Sequence, residues 1–70
     1  MSDLDKQPDE VVRNRHRDSV AADRDCDAVR VRVWGPHGGF KGWQLFDSYQ
    51  ARKLATQLLA AANAIDEVPF

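Results

Sequence analysis

Seventy residues, 43% hydrophobic and 30% charged with a net charge of −1, confine this chain to one small domain, for which a core alone rarely suffices and a disulfide, a metal or a partner has to help. Cys26 is the lone cysteine, which excludes an internal disulfide and suits a reducing, cytoplasmic setting. The polar start from Met1 to Glu10 reads as no signal peptide, and no segment approaches the roughly 18 apolar residues of a membrane span, so we expect a soluble protein with no membrane partner.

Charge is unevenly spread. Residues 1–27 hold eight acids against five bases, and from Ala28 onward five bases face three acids, so an acidic leader precedes a mildly basic remainder. Usage leans to Ala, Arg, Asp and Val, with few Lys, Asn or Ile. That is the bias of a GC-rich genome, such as that of an actinobacterium or a phage infecting one.

In the leader, Val11, Val12 and Val20 are the only large aliphatics between Asp5 and Asp27, too sparse to offset the entropy of ordering. The composition predicts a flexible segment over 1–27. Two ordered alternatives stay open: a helix over Asp9–Asp23, capped by Asp9 with Val12, His16 and Val20 about a turn apart, and a strand around Val11–Arg15. The cluster Arg13-Asn14-Arg15-His16-Arg17 has the chemistry of an arm that wraps a phosphate backbone or an acidic groove. Asp9, Glu10 and Asp18 bracket it, so a mixed-charge solubilising tail is the plainer reading.

From Ala28 the period is two. Val29, Val31 and Val33 alternate with Arg30, Arg32 and Trp34, the loop Gly35-Pro36-His37-Gly38-Gly39 turns the chain, and Phe40–Phe46 follows as a second strand. With Trp34 paired to Phe40, the pattern predicts Val33 opposite Lys41, Val31 opposite Trp43 and Val29 opposite Leu45 on one core face. The other face then carries Arg30, Arg32, Trp34, Phe40, Gln44 and Phe46.

At Asp47 the period becomes 3.6. Asp47 is placed to cap a helix, with Gln50 completing a capping box. The apolar stripe is Ala51, Leu54, Ala55, Leu58, Ala61, Ala62 and Ile65, continued through four turns to about Asp66. Such a helix outruns a strand of about seven residues, so its far half needs a partner. These residues are the expected dimerisation surface. The predicted fold class is α+β: a β-hairpin and one long amphipathic helix (ββα) in residues 28–68, completed by homodimerisation, behind the flexible leader.

For binding, the candidates are Arg30, Arg32, Trp34, His37, Phe40 and Lys41 on the outer sheet face and its loop. Arginine beside aromatic rings serves protein interfaces and single-stranded nucleic acid alike. A cross-strand aromatic pair with solvated edge charges is the plainer account. His16, Cys26 and His37 match no zinc spacing, and Cys26 and His37, the one plausible catalytic pair, fall at opposite ends of a strand. No catalytic residue, metal or cofactor is therefore assigned. The expectation is a non-enzymatic, homodimeric regulatory or adaptor protein that binds a protein partner through its outer sheet face or leader. The alternative is a nucleic-acid-binding dimer that uses Arg30, Arg32, Lys41 and exposed Trp34 and Phe40.

Overall fold

The computed structural model describes residues 4–67. Four strands, β1 (Val12–Arg13), β2 (Ser19–Asp25), β3 (Ala28–Trp34) and β4 (Phe40–Phe46), precede one helix, α1 (Ser48–Glu67). The strands form one antiparallel sheet in sequence order, each paired with the next. The α+β class, the β3–β4 hairpin and the helix are as the sequence predicts. The ββα unit is corrected to ββββα, because the segment expected to be a flexible leader supplies β1 and all of β2.

Two turns make that extension. After β1, the Asn14 side chain accepts hydrogen bonds from the backbone N–H of His16 (2.9 Å) and of Asp18 (3.0 Å). The Arg17 N–H donates to the Asn14 carbonyl at 3.0 Å, and Arg17 itself takes the left-handed φ of 69°. Asn14 thus supplies locally the bonds that a sparse apolar pattern does not. Between β2 and β3 the turn is Cys26-Asp27, with Asp25 opposite Ala28 and Cys26 at φ 56°. The Arg24 Nε donates to the Cys26 carbonyl at 2.7 Å and steadies it.

The predicted β3–β4 register holds only at its first pair. Trp34 does face Phe40, but a bulge between Val33 and Trp34 then sets Val33 against Gly42, Arg32 against Trp43, Val31 against Gln44, Arg30 against Leu45 and Val29 against Phe46. Direct partners share a face, so Trp43 and Leu45 leave the valine face and Phe46 joins it. The reason lies at the two ends of β4. Phe40 has to meet Trp34 on one face, and Phe46 has to enter the other, where the helix begins. Six residues apart, they share a face in a regular strand, and one extra residue changes the parity.

Phe46 is followed at once by the helix cap. The Gln50 N–H donates to Asp47 Oδ1 at 2.7 Å, the Asp47 N–H donates to Gln50 Oε1 at 3.1 Å, and the Ala51 N–H bonds the Asp47 carbonyl at 2.9 Å. This is the capping box read from the sequence. The helix then meets the valine face through β3 and β4, with Ala51 and Leu54 half-buried and every described residue from Ala55 onward exposed. The molecule is extended as a result: its radius of gyration is 14.0 Å, against about 11 Å for a compact chain of this length.

Cys26 occupies a backbone conformation that costs an L-residue about 1–2 kcal/mol. Replacing Cys26 with Gly should raise the urea unfolding midpoint and stabilise the chain by about 0.5–1 kcal/mol after the extra entropy of glycine is counted. An unchanged or lower midpoint would show that the turn is not strained.

Candidate functional site

Two faces of one sheet are available for chemistry, and they differ sharply. The face opposite the helix holds the three most buried side chains of the described chain: Trp34 at 0%, Ser19 at 2% and Arg32 at 4% exposure. β2 brings Asp23 opposite Arg30, and the N-terminal residues Leu4–Pro8 lie over the arginines as a strap. Arg32 Nη1 donates to the carbonyls of Leu4 and Lys6, each at 3.1 Å. The Trp34 indole N–H donates to the Asp5 carbonyl at 2.9 Å.

Asp23 organises the cations. Arg30 grips it with two bonds, Nε to Oδ1 at 3.1 Å and Nη2 to Oδ2 at 2.8 Å, and Arg32 Nη2 reaches Oδ2 at 3.1 Å. The Arg30 hydrogen bonds hold the Asp23 carboxyl below the ordinary range despite an opposing effect of burial, and the nearby charges of Arg30 and Arg32 add to this. Arg30 is raised in turn by Asp23. The Arg32 guanidinium lies 5.1 Å from the Trp34 ring centre, and Trp34 meets Phe40 edge-on, with centroids 6.1 Å apart. The Trp34 ring thus has both a cation and an edge-on aromatic neighbour, arrangements that suit the quadrupoles of the rings.

Of the candidate binding residues, Arg30, Arg32, Trp34 and Phe40 do share one face, as expected. The face is not open at Arg32 and Trp34, because the strap covers them. His37 and Lys41 are exposed on and beside the β3–β4 loop, and the Lys41 stem folds back along Gly35, where a Cβ would lie 3.1 Å from Lys41 Cε. Trp43 and Leu45, 44% and 45% exposed, join this face uncovered. Strict alternation predicts both in the core, and the bulge in β4 moves them to this face.

The second surface is the valine face with α1. An apolar groove of ≈470 Å³ runs between them, with Val12, Val20 and Ala22 on the sheet side and Ala51, Leu54, Ala55 and Leu58 on the helix side. Farther along, Leu58, Leu59 and Ile65 are 63%, 65% and 75% exposed. Of the expected dimerisation stripe, Ala51 and Leu54 therefore meet the chain's own sheet, and Ala55, Leu58, Ala61, Ala62 and Ile65 remain in solvent.

Asp23 and the strap are not legible in the sequence pattern, because neither lies in an apolar repeat. The available signal was the Cys26-Asp27 turn, since a two-residue hairpin loop there sets Asp23 against Arg30. Among the described residues no group of three or more His, Cys, Asp or Glu is placed to hold a metal ion, and no helix is long and apolar enough to cross a membrane. Cys26 and His37 stand in turns at opposite ends of β3.

Two outcomes test this face. Removing residues 1–8 takes away the three hydrogen bonds described at Leu4, Asp5 and Lys6, each worth about 0.5–1.5 kcal/mol net, and after the strap's ordering entropy the expected loss is about 1–3 kcal/mol. In a Trp43→Phe background the truncation should also red-shift the emission of Trp34. The second test uses acid. Because the folded pKa of Asp23 is depressed, its contribution is present above the unfolded value near about 3.9 and is lost as pH falls through the folded value. Asp23→Asn should therefore flatten the fall in urea midpoint between pH 5 and pH 2 (about three decades of proton activity).

The sequence matches no protein-family profile, no curated protein and no solved structure, so the functional reading rests on these two surfaces.

Proposed function

We propose that this chain is a non-enzymatic, homodimeric regulatory or adaptor protein. One observation supports this above the others. The chain exposes 6147 Å², about 1,700 Å² more than the roughly 4,400 Å² of a compact monomer of its mass. Leu58, Leu59 and Ile65 of one helix are among the exposed aliphatic side chains that contribute to it. Burying a Leu or Ile side chain contributes on the order of 1.5–3 kcal/mol, so association through Leu58 and Ile65 supplies what the intrachain core lacks. An exposed, unpaired Cys26 favours a reducing compartment, and we place the protein in the cytoplasm on that ground.

The surface offered to a further protein partner is the outer sheet face together with its strap. Trp43 and Leu45 beside Arg30, Phe40, His37 and Lys41 have the aromatic, aliphatic and cationic mixture that serves as an interface anchor. Nucleic-acid binding is the second reading, and a different set of residues favours it. Arg30 and Arg32 are engaged by Asp23, and Trp34 is buried. Arg13, Arg15 and Arg17 around the first turn share one end of the sheet with His37 and Lys41, since Ser19, Trp34 and Phe40 lie at the same level. Those exposed cations are the ones that would meet phosphates.

Light scattering at micromolar concentration should give the mass of two chains, and a folded species of one chain would overturn the proposal. Leu58→Asp should raise the dimer dissociation constant by at least about a hundredfold, because each copy places an unpaired carboxylate in the apolar contact. Retention on heparin at two salt concentrations separates the partner classes: salt-sensitive retention favours nucleic acid, and flow-through favours a protein.

A further inference from the structure

Apart from the Asp47 cap, helix α1 carries its charges against its own dipole. It has no acid in its first turn and no base in its last. Arg52 and Lys53 lie toward the positive N-terminal end, and Asp66 and Glu67 stand at the negative C-terminal end. In a helix standing alone these side chains add to the macrodipole where capping charges ordinarily offset it. The same helix is bare of contacts over its second half and borders an apolar groove along its first. The two irregularities, electrostatic and apolar, have one common solution.

Resting on the dimeric reading above, we propose that the groove is filled by the C-terminal half of α1 from a second copy, the two helices lying antiparallel about a two-fold axis. Pairing Leu54 with Ile65 and Leu58 with Ala61 of the other copy places the axis between Leu59 and Ala60. Ala55, Ala61 and Ala62 let the backbones approach to the close end of the usual 8–10 Å. Each copy then lays its Ile65 end over Val12 and Val20 of the other, so each groove is completed by the chain it does not belong to. The arrangement is isologous, as a closed dimer requires.

Charge selects the direction. Antiparallel packing sets Arg52 and Lys53 at the level of Asp66 and Glu67 of the second copy and aligns the two macrodipoles head to tail. Parallel packing sets like charges and like dipole ends together. The apolar surface for the contact is present: Leu58, Leu59 and Ile65 are 63%, 65% and 75% exposed.

Spin labels test the direction in the full chain carrying Cys26→Ser. Tyr49→Cys and Asn63→Cys lie off the apolar stripe, so labelling should not disturb packing. Across the proposed axis, two labels at 49 are offset by about 32 Å along the helices and two at 63 by about 11 Å. Dipolar spectroscopy should therefore give a clearly longer distance at 49. Equal distances in a dimer would overturn the antiparallel pairing and leave the dimeric reading standing, whereas a one-chain mass would overturn both.

A charge exchange gives an independent check. Asp66→Lys with Glu67→Lys improves the match to the chain's own helix dipole, yet should weaken the dimer about tenfold at low salt and less at high salt. Adding Arg52→Glu and Lys53→Glu in the same chain should restore affinity. An unchanged dissociation constant in the first variant, or no restoration in the second, would overturn the proposed register.

Discussion

The contact between the Trp34 ring and what surrounds it organises the sheet. It meets Phe40 edge-on across the β3–β4 hairpin, the Arg32 guanidinium lies against the ring, and its N–H holds the Asp5 carbonyl of the strap. Remove the ring and three neighbours lose a common reference: the hairpin end, a nearly buried cation and the N-terminal residues. Arg32 is tolerable at 4% exposure because Asp23 and two strap carbonyls answer its N–H groups, and a desolvated guanidinium without them would be costly. The strap therefore serves as a lid of backbone oxygens over a positive centre.

This arrangement divides the apolar content of the chain between two faces. The Trp34 side is closed within the chain around Trp34 and Arg32 by aromatic, ionic and backbone contacts, and open at Trp43 and Leu45. The valine side is closed only at Phe46, Ala51 and Leu54, where the helix starts. A sheet with one internal layer and one half-built layer is what 70 residues can supply, since small domains bury too little of their surface to complete two. The proposed dimer would complete it from outside.

How much of this was legible varied with the physics of each segment. β3, β4 and α1 announce themselves through strict periodicity and a side-chain cap, and their observed limits lie close to those read from Val29, Phe40 and Asp47. β2 does not, because Val20, Ala22 and Arg24 share one face while Ala21, Asp23 and Asp25 share the other. Neither set is apolar throughout. β2 is held by pairing with β3 and by the Asp23 carboxylate, and such nonlocal interactions leave no period in a sequence. The bulge near Lys41 hid for a related reason: alternation predicts partners only while the count of residues on both strands stays equal. A single residue then moved Trp43 and Leu45 to the opposite face from the one their pattern suggested, and so changed which surface presents them to a partner.

The meander order of the strands has a consequence for the time course of assembly. Every strand pairs with its neighbour in sequence across a short turn, so loop closure is local and the sheet belongs among topologies that form quickly for their size. Encounter between two chains, by contrast, proceeds at about 10⁵–10⁷ M⁻¹s⁻¹, which at micromolar concentration is about 0.1–10 events per second. On the proposed dimeric reading, secondary structure arises in a first phase independent of dilution, and the second half of α1 waits, uncovered, for a collision. On that reading the abundance of the protein, rather than its folding speed, sets how long the apolar helix of a freshly made chain stays in water.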